Sequence, residues 1–534
     1  MNMMTDCLFI GHNEMDFTQY SNVVYDLGKD SPAYRDLRLN FIWHEQKRHT
    51  VTDIFNRYSN ESMQFKIGDV LSTAISYLGT YLHRRGLTFD YINDFQAEKE
   101  ELKNKLLAGN IRTIGITTTL YTVPTPILEI CRFIRQYNKE ARIIIGGPFV
   151  LNLHFISQDV KPLHNLLRSS KADALLTNPQ GEAALVRVIQ AFKNYESLDG
   201  IPNVTYWKNG VPATNKFEPE DNKLDENTVD WGLFGDRIGK FAGVRTCISC
   251  AFDCYFCGFN QRAGRLRTAS LEAIERELDT LESIGTVKTV NFVDGTFNYP
   301  HDHFKDFLKM MTRKKYSFKW NSYLRCQFMD EETVKMMEES GCEGVYLGIE
   351  SANQKVLNNM RKGVSLDQYK KGVSLLKKTG IIVHANFILG YVGETKETMK
   401  DTVNFINDYA PDFYRMQMWY LDAGTPIYKD REKYNIKGSN FMWSHDTMTS
   451  SEVCDYLDDI ILNQIKSSIW LPVHNFNFHN LFRLIHMGMD VEDVKGFLRA
   501  FNEGIKEGIK YPGSTGISSE IIEEMKKHIT KINR

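Results

Sequence analysis

The chain has 534 residues, enough for two to four domains that each bury a hydrophobic core. Its 42% hydrophobic, 12% aromatic and 25% charged residues are typical of a globular protein and exclude collagen-like, disulfide-rich and disordered chains. A formal net charge of -2 gives no overall basic field that would attract nucleic acid or an anionic membrane. We therefore predict a compact protein without a nucleic-acid or membrane partner.

The N-terminus predicts where the protein resides. It has no basic segment ahead of a long apolar run, and nowhere does the sequence reach the ~18 consecutive apolar residues of a membrane span. We therefore expect a cytoplasmic location.

Nine cysteines are too few for a disulfide scaffold, yet four of them fall between Cys247 and Cys257. In a reducing compartment, such a cluster indicates a metal-binding or catalytic site.

The first 196 residues alternate short apolar runs with helical patterns. Strands are predicted at residues 7–10, 89–92, 113–116, 141–145 and 172–176, and helices at 68–85, 127–137 and 183–192. This alternation predicts a doubly wound, Rossmann-like α/β domain over residues 1–196. Its binding crevice is expected at the carboxyl ends of the parallel strands.

Residues 197–237 are irregular and polar, and we interpret them as a linker that contains a small hairpin at 204–210. A second alternating series follows over residues 238–432. Its predicted strands lie at 241–245, 287–293, 318–324, 344–348, 381–389 and 413–421, with helices between them such as 330–340 and 365–378. Six βα units predict a partial (β/α)6 barrel. Residues 433–534, with helical patterns at 451–467 and 491–505, are predicted to form a helical C-terminal extension.

The cysteine cluster is compatible with two kinds of metal site. Cys247, Cys250, Cys254 and Cys257 form two C-x-x-C pairs that could hold zinc, although zinc ribbons usually separate such pairs by about 15 to 20 residues. Three thiolates at the spacing of Cys250, Cys254 and Cys257 can instead bind three corners of one iron-sulfur cluster and leave the fourth iron open. We favour the iron-sulfur cluster, and a redox C-x-x-C pair is a further alternative.

The spacing Cys250-x3-Cys254-x2-Cys257, with Phe256 before the last cysteine, resembles the signature of the radical S-adenosylmethionine (SAM) superfamily. The resemblance implies a 4Fe-4S cluster whose open iron binds SAM. Reduction of bound SAM then releases a 5′-deoxyadenosyl radical. The cluster and SAM supply this chemistry, while the protein positions and shields them.

The resemblance extends to later strand ends, which are similar to those of radical SAM proteins with an N-terminal cobalamin-binding domain. It implies SAM-binding roles for Phe256, Asp294, Arg325, Glu350, Ser351, Asn386 and Gly390. Arg325 and Glu350 carry charges that match those of SAM. The structural alternative is that these two residues form a buried ion pair that only braces the barrel.

Cys247 departs from the family pattern, since relatives usually carry Arg-Gly or a similar pair where this chain has Ile248-Ser249. A fourth cysteine ligand would occupy the iron that SAM needs. We therefore interpret Cys247 as a neighbouring thiol rather than a ligand, and its replacement by Ala tests this interpretation.

The N-terminal domain resembles the cobalamin-binding domain of the same subgroup. The residues that carry this likeness are the hydroxyl run after one strand, the glycine pair after the next, and an acidic residue further on: Thr117, Thr118, Thr119, Gly146, Gly147 and Glu182. Glycines allow close approach of the backbone to a ligand. The Asp-x-His-x-x-Gly signature is absent, and His12 occupies the expected loop. His12 is a candidate cobalamin contact, although a hydrogen-bonded loop histidine is the commoner case.

The combined resemblance implies a cobalamin-dependent radical SAM methyltransferase acting on an unactivated carbon or a phosphinate phosphorus of a small molecule. The opening residues 6–17, with Tyr34-Arg35-Asp36-Leu37 after them, are similar to those of P-methyltransferases of phosphinothricin-type pathways, which favours the phosphinate. An electron donor such as flavodoxin or ferredoxin is the expected partner. Enzymes with these cofactors that rearrange or cyclise their substrates, without net methyl transfer, are the main alternative. A methylthiotransferase would need a second three-cysteine set, which the N-terminal domain lacks, and a non-enzymatic sensor is less consistent with the strand-end motifs.

Overall fold

The computed structural model describes residues 4–119, 121–157 and 159–531, apart from the side chains of Ser62 and Asp236. The chain packs as two compact units. The first contains Met1–Met15, Ile67–Ser249 and Phe259–Val287, and the second contains Asp16–Lys66, Cys250–Gly258 and Lys288–Arg534. The domain boundaries predicted from the sequence, at 196, 237 and 432, stay a prediction.

The described residues contain parallel strands followed by helices through most of the chain. The strands are β1 Thr5–His12, β2 Ile42–His44, β3 Lys47–His49, β4 Phe89–Asp94, β5 Ile111–Thr117, β6 Arg142–Gly146, β7 Ala174–Leu176, β8 Val204–Lys208, β9 Val211–Thr214, β10 Phe241–Val244, β11 Cys247–Ile248, β12 Arg267–Thr268, β13 Thr289–Phe292, β14 Lys319–Leu324, β15 Cys342–Glu350, β16 Ile382–Leu389, β17 Phe413–Met418, β18 Lys437–Ser439, β19 Met442–His445, β20 Met448–Thr449 and β21 Ile469–Trp470.

The helices vary from a single turn to twenty residues. They are α1 Phe17–Tyr25, α2 Pro32–Leu37, α3 Val51–Tyr58, α4 Thr73–His83, α5 Lys99–Leu107, α6 Thr125–Tyr137, α7 Pro148–Ser157, α8 Lys161–Ser170, α9 Glu182–Asn194, α10 Phe259–Ala263, α11 Leu271–Ile284, α12 His301–Lys314, α13 Glu331–Glu339, α14 Gln354–Asn359, α15 Leu366–Leu376, α16 Lys396–Tyr409, α17 Pro426–Lys429, α18 Ser450–Asp459, α19 Phe478–His486, α20 Val491–Lys510 and α21 Ser519–Thr530. No helix of the described residues has the length and apolar character needed to cross a bilayer.

The first unit is built on a sheet with the strand order β4-β1-β5-β6-β7-β8-β9. Strands β4, β1, β5, β6 and β7 are parallel, while β8 and β9 extend the β7 edge in antiparallel orientation. The apolar run Ile143-Ile144-Ile145 is fully buried, as expected for a parallel strand covered on both faces. The predicted doubly wound fold is confirmed, and the predicted hairpin at 204–210 is present as β8 and β9, which extend the sheet.

The second unit contains the parallel strands β13-β14-β15-β16-β17-β21 in neighbouring order. Helix α15 begins at Ser365, whose side chain forms the predicted capping box with Gln368. The predicted partial barrel and helical C-terminal part are confirmed. The C-terminal part also contains the small antiparallel sheet β18-β19-β20. Helical periodicity could not reveal these strands, because the longest of them has four residues.

Candidate functional site

The three candidate cluster cysteines lie in one loop of the second unit. Cys254 is buried, whereas Cys250 and Cys257 are partly exposed, and none of the chain's nine cysteines, all in the described residues, forms a disulfide. The loop is fixed by its backbone: the Tyr255 N–H donates to the Met360 carbonyl at 2.8 Å, and the Cys257 N–H donates to the Cys254 carbonyl at 3.0 Å. The loop therefore carries three reduced cysteines on a backbone that hydrogen bonds fix in place.

Two side chains from strand ends contact these sulfur atoms. The Thr296 hydroxyl lies 3.3 Å from the Cys250 sulfur, and the Arg325 guanidinium donates to the Cys254 sulfur at 3.6 Å. Arg325 also lies over the Phe252 ring, 3.7 Å from its centroid. Hydrogen bonds and positive charge stabilise thiolates and the added electron of a reduced cluster. The donor set therefore fits an iron-sulfur cluster.

A single metal ion requires its ligands to converge on one point. Among the described residues, no group of three or more His, Cys, Asp or Glu side chains does so. A cubane cluster makes no such demand, because each thiolate binds a different iron atom. Cys247 belongs to the first unit, where β11 pairs with β12 and its buried thiol lies 3.8 Å from the Ser249 carbonyl.

Glu350, at the end of β15, is the most constrained of the candidate SAM residues. Its backbone has a left-handed φ of 67°, at a shift in the pairing register with β16. Such strain costs about 1 to 3 kcal/mol and concentrates at functional sites. The carboxylate accepts hydrogen bonds from Lys362 at 2.9 Å and Asn386 at 3.3 Å. A Cβ at Gly348 would lie 2.6 Å from this carboxylate, so any larger residue there would have to displace the Glu350 side chain.

Arg325 and Glu350 do not pair with each other, so the alternative of a bracing Arg–Glu ion pair is wrong. Arg325 instead donates to Gln327 at 3.0 Å and to the Lys362 carbonyl. The ion-pair partner of Glu350 is Lys362, with only 5% of its surface exposed. Sequence reasoning missed Lys362 and Thr296. A lysine between Arg361 and Gly363 carries no sequence signal of burial, because lysines in loops are usually exposed.

Gly390 and Glu394 form a turn after β16. Gly390 has a left-handed φ of 84°, and its N–H donates to the Glu394 carboxyl, which is fully buried. From the C-terminal segment, His445 bonds the Gly390 carbonyl at 3.0 Å, and Trp443 stacks on His445. The C-terminal segment is therefore packed against this strand end, and both aromatic groups are buried.

The remaining candidate SAM residues lie around the same strand ends. Phe256 makes an edge contact with Tyr391, with ring centroids 6.3 Å apart, and Asp294 follows β13 in a buried position. Ser351 is buried after Glu350 and accepts the Asn353 N–H at 3.2 Å. Asn386 keeps one amide oxygen without a hydrogen-bond partner in the described residues. A buried acceptor of this kind indicates room for a ligand or water donor.

The candidate cobalamin residues line strand ends of the first unit. Thr117 pairs with Gly146 across β5 and β6, and the Thr118 hydroxyl donates to the Gly146 carbonyl at 2.9 Å. Both hydroxyls bond protein groups, since the Thr117 hydroxyl donates to the carbonyl groups of Ile10 and Gly11 in β1. Thr119 is exposed and makes no hydrogen bond within the described chain. Gly147 has a left-handed φ of 109° and presents bare backbone. The crevice therefore offers Thr119 and the Gly146-Gly147 backbone to a ligand.

His12 and Glu182 are the titratable groups among the candidate cobalamin residues of the first unit. Burial lowers the pKa of the His12 imidazole. Glu182 accepts from Asn222 at 3.1 Å and lies 3.6 Å from Arg245. Burial raises the pKa of the Glu182 carboxyl to about 7. In the free protein, Glu182 is therefore a carboxyl group held by Asn222 and Arg245.

Residues 245–406, which include the cysteine loop and the strand ends with Arg325, Glu350 and Gly390, match the model of the radical SAM superfamily. This segment is a radical SAM domain. The resemblance stated from the sequence is thereby confirmed for this part of the chain. A domain of this family carries a 4Fe-4S cluster and binds SAM, and Cys250, Cys254 and Cys257 stand at the family spacing.

One relative and two solved structures align with more than half of this chain. An uncharacterized methyltransferase of Pyrococcus horikoshii is 26% identical over 327 residues, which cover 59% of this chain and 68% of the relative. The structure of TsrM from Kitasatospora setae, a radical SAM methyltransferase with cobalamin and a 4Fe-4S cluster bound, has a TM-score of 0.62 at 16% identity and covers 87% of this chain and 96% of its own. OxsB, a cobalamin-dependent radical SAM enzyme with aqua-cobalamin and SAM bound, has a TM-score of 0.62 at 13% identity, with coverages of 99% and 78%.

Substitution of Gly390 by Ala should destabilise the radical SAM domain. The new Cβ would lie 2.5 Å from Trp443 and 2.7 Å from Val453, and the left-handed φ disfavours any side chain. We expect a loss of about 2 to 4 kcal/mol in the free energy of unfolding. At Gly380, a Cβ would meet nothing within 4 Å, so Gly380→Ala is the control. Thermal unfolding measures the stability of both variants. Equal stability would contradict the expected strain at position 390.

The buried Glu394 carboxyl makes the stability of the domain depend on pH. Burial raises its pKa from an ordinary 4.5 to about 8. Between these values the folded state keeps the proton that the unfolded state loses, so stability falls as pH rises, by up to about 1.4 kcal/mol per unit. Denaturant unfolding at pH 5, 6.5 and 8 should show a steeper decline for the wild type than for Glu394→Gln. Parallel curves would show that Glu394 is ionised in the folded state.

Proposed function

We propose that this protein is a cobalamin-dependent radical SAM methyltransferase. It moves a methyl group from SAM by way of cobalamin to an unactivated carbon or a phosphinate phosphorus of a small molecule. The observation that carries the proposal is the three-cysteine loop with Arg325 and Thr296 at its sulfur atoms, within a segment that matches the radical SAM superfamily.

The cluster supplies one electron to SAM when both are bound, and the chain's own residues prepare for that transfer. Cys250, Cys254 and Cys257 ligate three iron atoms. The Arg325 cation beside Cys254 favours the reduced cluster electrostatically, because reduction adds negative charge. A flavodoxin or ferredoxin is the proposed electron donor.

Charged and polar groups at the strand ends provide the proposed SAM site. Glu350 and Lys362 offer a carboxylate and an ammonium group side by side, which complement the amino and carboxylate groups of SAM. The unpartnered Asn386 oxygen provides an acceptor for a further donor of the ligand. Asp294, Ser351 and Gly390 at the strand ends, and Phe256 in the cysteine loop, complete the proposed contacts.

The crevice of the first unit is the proposed cobalamin site. Cobalamin, when bound, supplies a cobalt ion that carries the methyl group. Two structures with a similar fold, TsrM and OxsB, hold cobalamin. In this chain, the Gly146-Gly147 backbone permits close approach and Thr119 offers a hydroxyl group. Because the Asp-x-His-x-x-Gly signature is absent, we propose cobalt without a protein ligand from His12.

Anaerobic reconstitution with iron, sulfide, hydroxocobalamin and SAM tests the proposal. We expect cluster and corrin absorption together, and dithionite-dependent formation of 5′-deoxyadenosine. SAM with a deuterated methyl group should also yield S-adenosylhomocysteine, because methylation of cobalt consumes SAM without cleaving it to the radical. Transfer of the deuterated methyl group to phosphinate-containing amino acids, used as candidate acceptors, is measured by product mass.

The outcomes separate the proposed function from its main rival. Transfer of the label to an acceptor supports a methyltransferase. Formation of 5′-deoxyadenosine with an altered acceptor that gains no methyl group, and no S-adenosylhomocysteine, would instead identify a rearranging or cyclising enzyme. A protein that binds zinc in the cysteine loop and neither cofactor would refute both.

A further inference from the structure

A cavity of ≈ 360 Å³ lies in the second unit, between strands β17 and β21 and helix α20. Tyr414 and Ile469 lie on its wall, near the amino ends of two paired parallel strands. Arg325, Glu350 and Gly390 all lie at carboxyl ends of strands in the same sheet. Since ligands of the barrel reaction bind at the carboxyl ends, this cavity is separate from the candidate SAM site.

The cavity has the construction of a ligand site rather than a packing defect. Its volume falls within the range of small-molecule pockets, and apolar side chains such as Ile461 and Ile505 form part of the lining. Ile461 lies in a π-helical segment, Ile460–Gln464, that directly follows α18. Such segments occur frequently at functional sites, since the extra residue re-aims the side chains around it.

Two polar groups of the lining lack partners. The side-chain amide of Asn502, with 9% of the residue exposed, donates to the Trp470 carbonyl at 3.1 Å. This bond orients the amide and leaves its buried oxygen without a donor in the described residues. The buried Ser468 hydroxyl is likewise unpartnered there. Buried polar groups of this kind are normally satisfied, so both are open to a water or ligand partner.

The cavity is also basic. Lys466, Arg499 and Lys506 line it, against the single carboxylate of Glu503. Glu503 pairs with Lys506 at 2.7 Å, which neutralises that lysine. Within the described residues, neither the Lys466 ammonium nor the Arg499 guanidinium has an ion-pair partner. Two uncompensated cations beside an apolar wall favour an anion over a neutral or cationic ligand.

We propose that this cavity is a second binding site, for a small organic anion that also carries a hydrogen-bond donor. Lys466 and Arg499 bind the anionic group, a phosphate or carboxylate. The Asn502 oxygen accepts from a hydroxyl or amino group of the same ligand. The apolar wall contacts its carbon chain.

Isothermal titration of the full-length protein with glycerol 3-phosphate and with inorganic phosphate tests this site. The first probe has both an anion and hydroxyl donors, and the second has no carbon chain. We expect the wild type to bind glycerol 3-phosphate more tightly than phosphate. A Lys466→Ala/Arg499→Ala variant should bind both probes at least about tenfold more weakly. Both positions are exposed, so the variant is expected to fold.

Two further variants make the result specific. Asn502→Ala should weaken the binding of glycerol 3-phosphate by about five- to tenfold and leave the affinity for phosphate unchanged. Only the first probe has a carbon-bound hydroxyl that can donate to the Asn502 oxygen. Lys510→Ala, an exposed position of α20 outside the cavity, should change neither. The proposal is overturned if the wild type binds neither probe at about 50 mM, or if Lys510→Ala weakens binding as much as the double variant does.

Discussion

Cys254→Ala is expected to prevent assembly of the 4Fe-4S cluster and to lower formation of 5′-deoxyadenosine by more than about 100-fold. Loss of groups that only support metal ligands lowers metal affinity or activity by 10- to 100-fold, so loss of a ligand should exceed that range. The Arg325 guanidinium would also lose its sulfur partner at 3.6 Å. Iron content, visible absorption and the 5′-deoxyadenosine assay after anaerobic reconstitution measure the effect. Cys250→Ala and Cys257→Ala should behave alike.

Two other cysteines provide controls. Cys326 is fully buried and contacts the Tyr369 carbonyl at 3.7 Å, away from the cysteine loop in sequence. Cys326→Ala removes a buried thiol of the same type and should retain the cluster. Cys247→Ala should also retain the cluster if Cys247 is not a ligand. Failure of this variant to assemble a cluster would show that our ligand set is wrong.

Much of the fold could be predicted because its strands are continuous apolar runs between glycines and polar turns. The run 143–145 and the buried strand β16 are examples, and the polar side chains that follow such strands lie where parallel topology requires. Helix α15 was predictable at both ends, since its capping box and Gly380 are local signals. Local signals therefore predicted the order of the elements.

The packing of distant segments left no local signal. Residues 16–66 precede most of the first sheet in sequence but belong to the second compact unit, where Arg415 binds Asn40 at 2.8 Å. Within 197–237 the sequence indicated the hairpin at 204–210, but not that its strands β8 and β9 extend the first sheet by pairing with β7. Which strand a hairpin pairs with depends on tertiary packing.

The site was predictable where the chemistry depends on spacing, as in the cysteine loop. It was not predictable where a partner comes from a distant loop. Lys362 follows Glu350 by twelve residues and reaches the same buried position through α14 and its following turn. Nothing in the sequence distinguishes this lysine from exposed neighbours such as Arg361. The ion pair is a product of tertiary packing.

The Glu350–Lys362 pair gives the second large expected effect. Glu350 and Lys362 expose only 7% and 5% of their surface, and their charged atoms lie 2.9 Å apart. Glu350→Gln should destabilise the protein by about 3 to 5 kcal/mol, because it leaves the Lys362 ammonium buried without its counter-charge. Lys362→Met should cause a similar loss by isolating the carboxylate. Thermal and urea unfolding of the full chain measure both variants.

The double variant Glu350→Gln/Lys362→Met separates stability from function. It buries no charge, so its loss of stability should be much smaller than the sum of the single losses. If the pair served only to brace the barrel, this refolded variant would bind SAM as the wild type does. If the pair recognises the charged groups of SAM, as we propose, the variant should be folded and bind SAM at least about tenfold more weakly. If the stable double variant bound SAM with wild-type affinity, Glu350 would not belong to the SAM site.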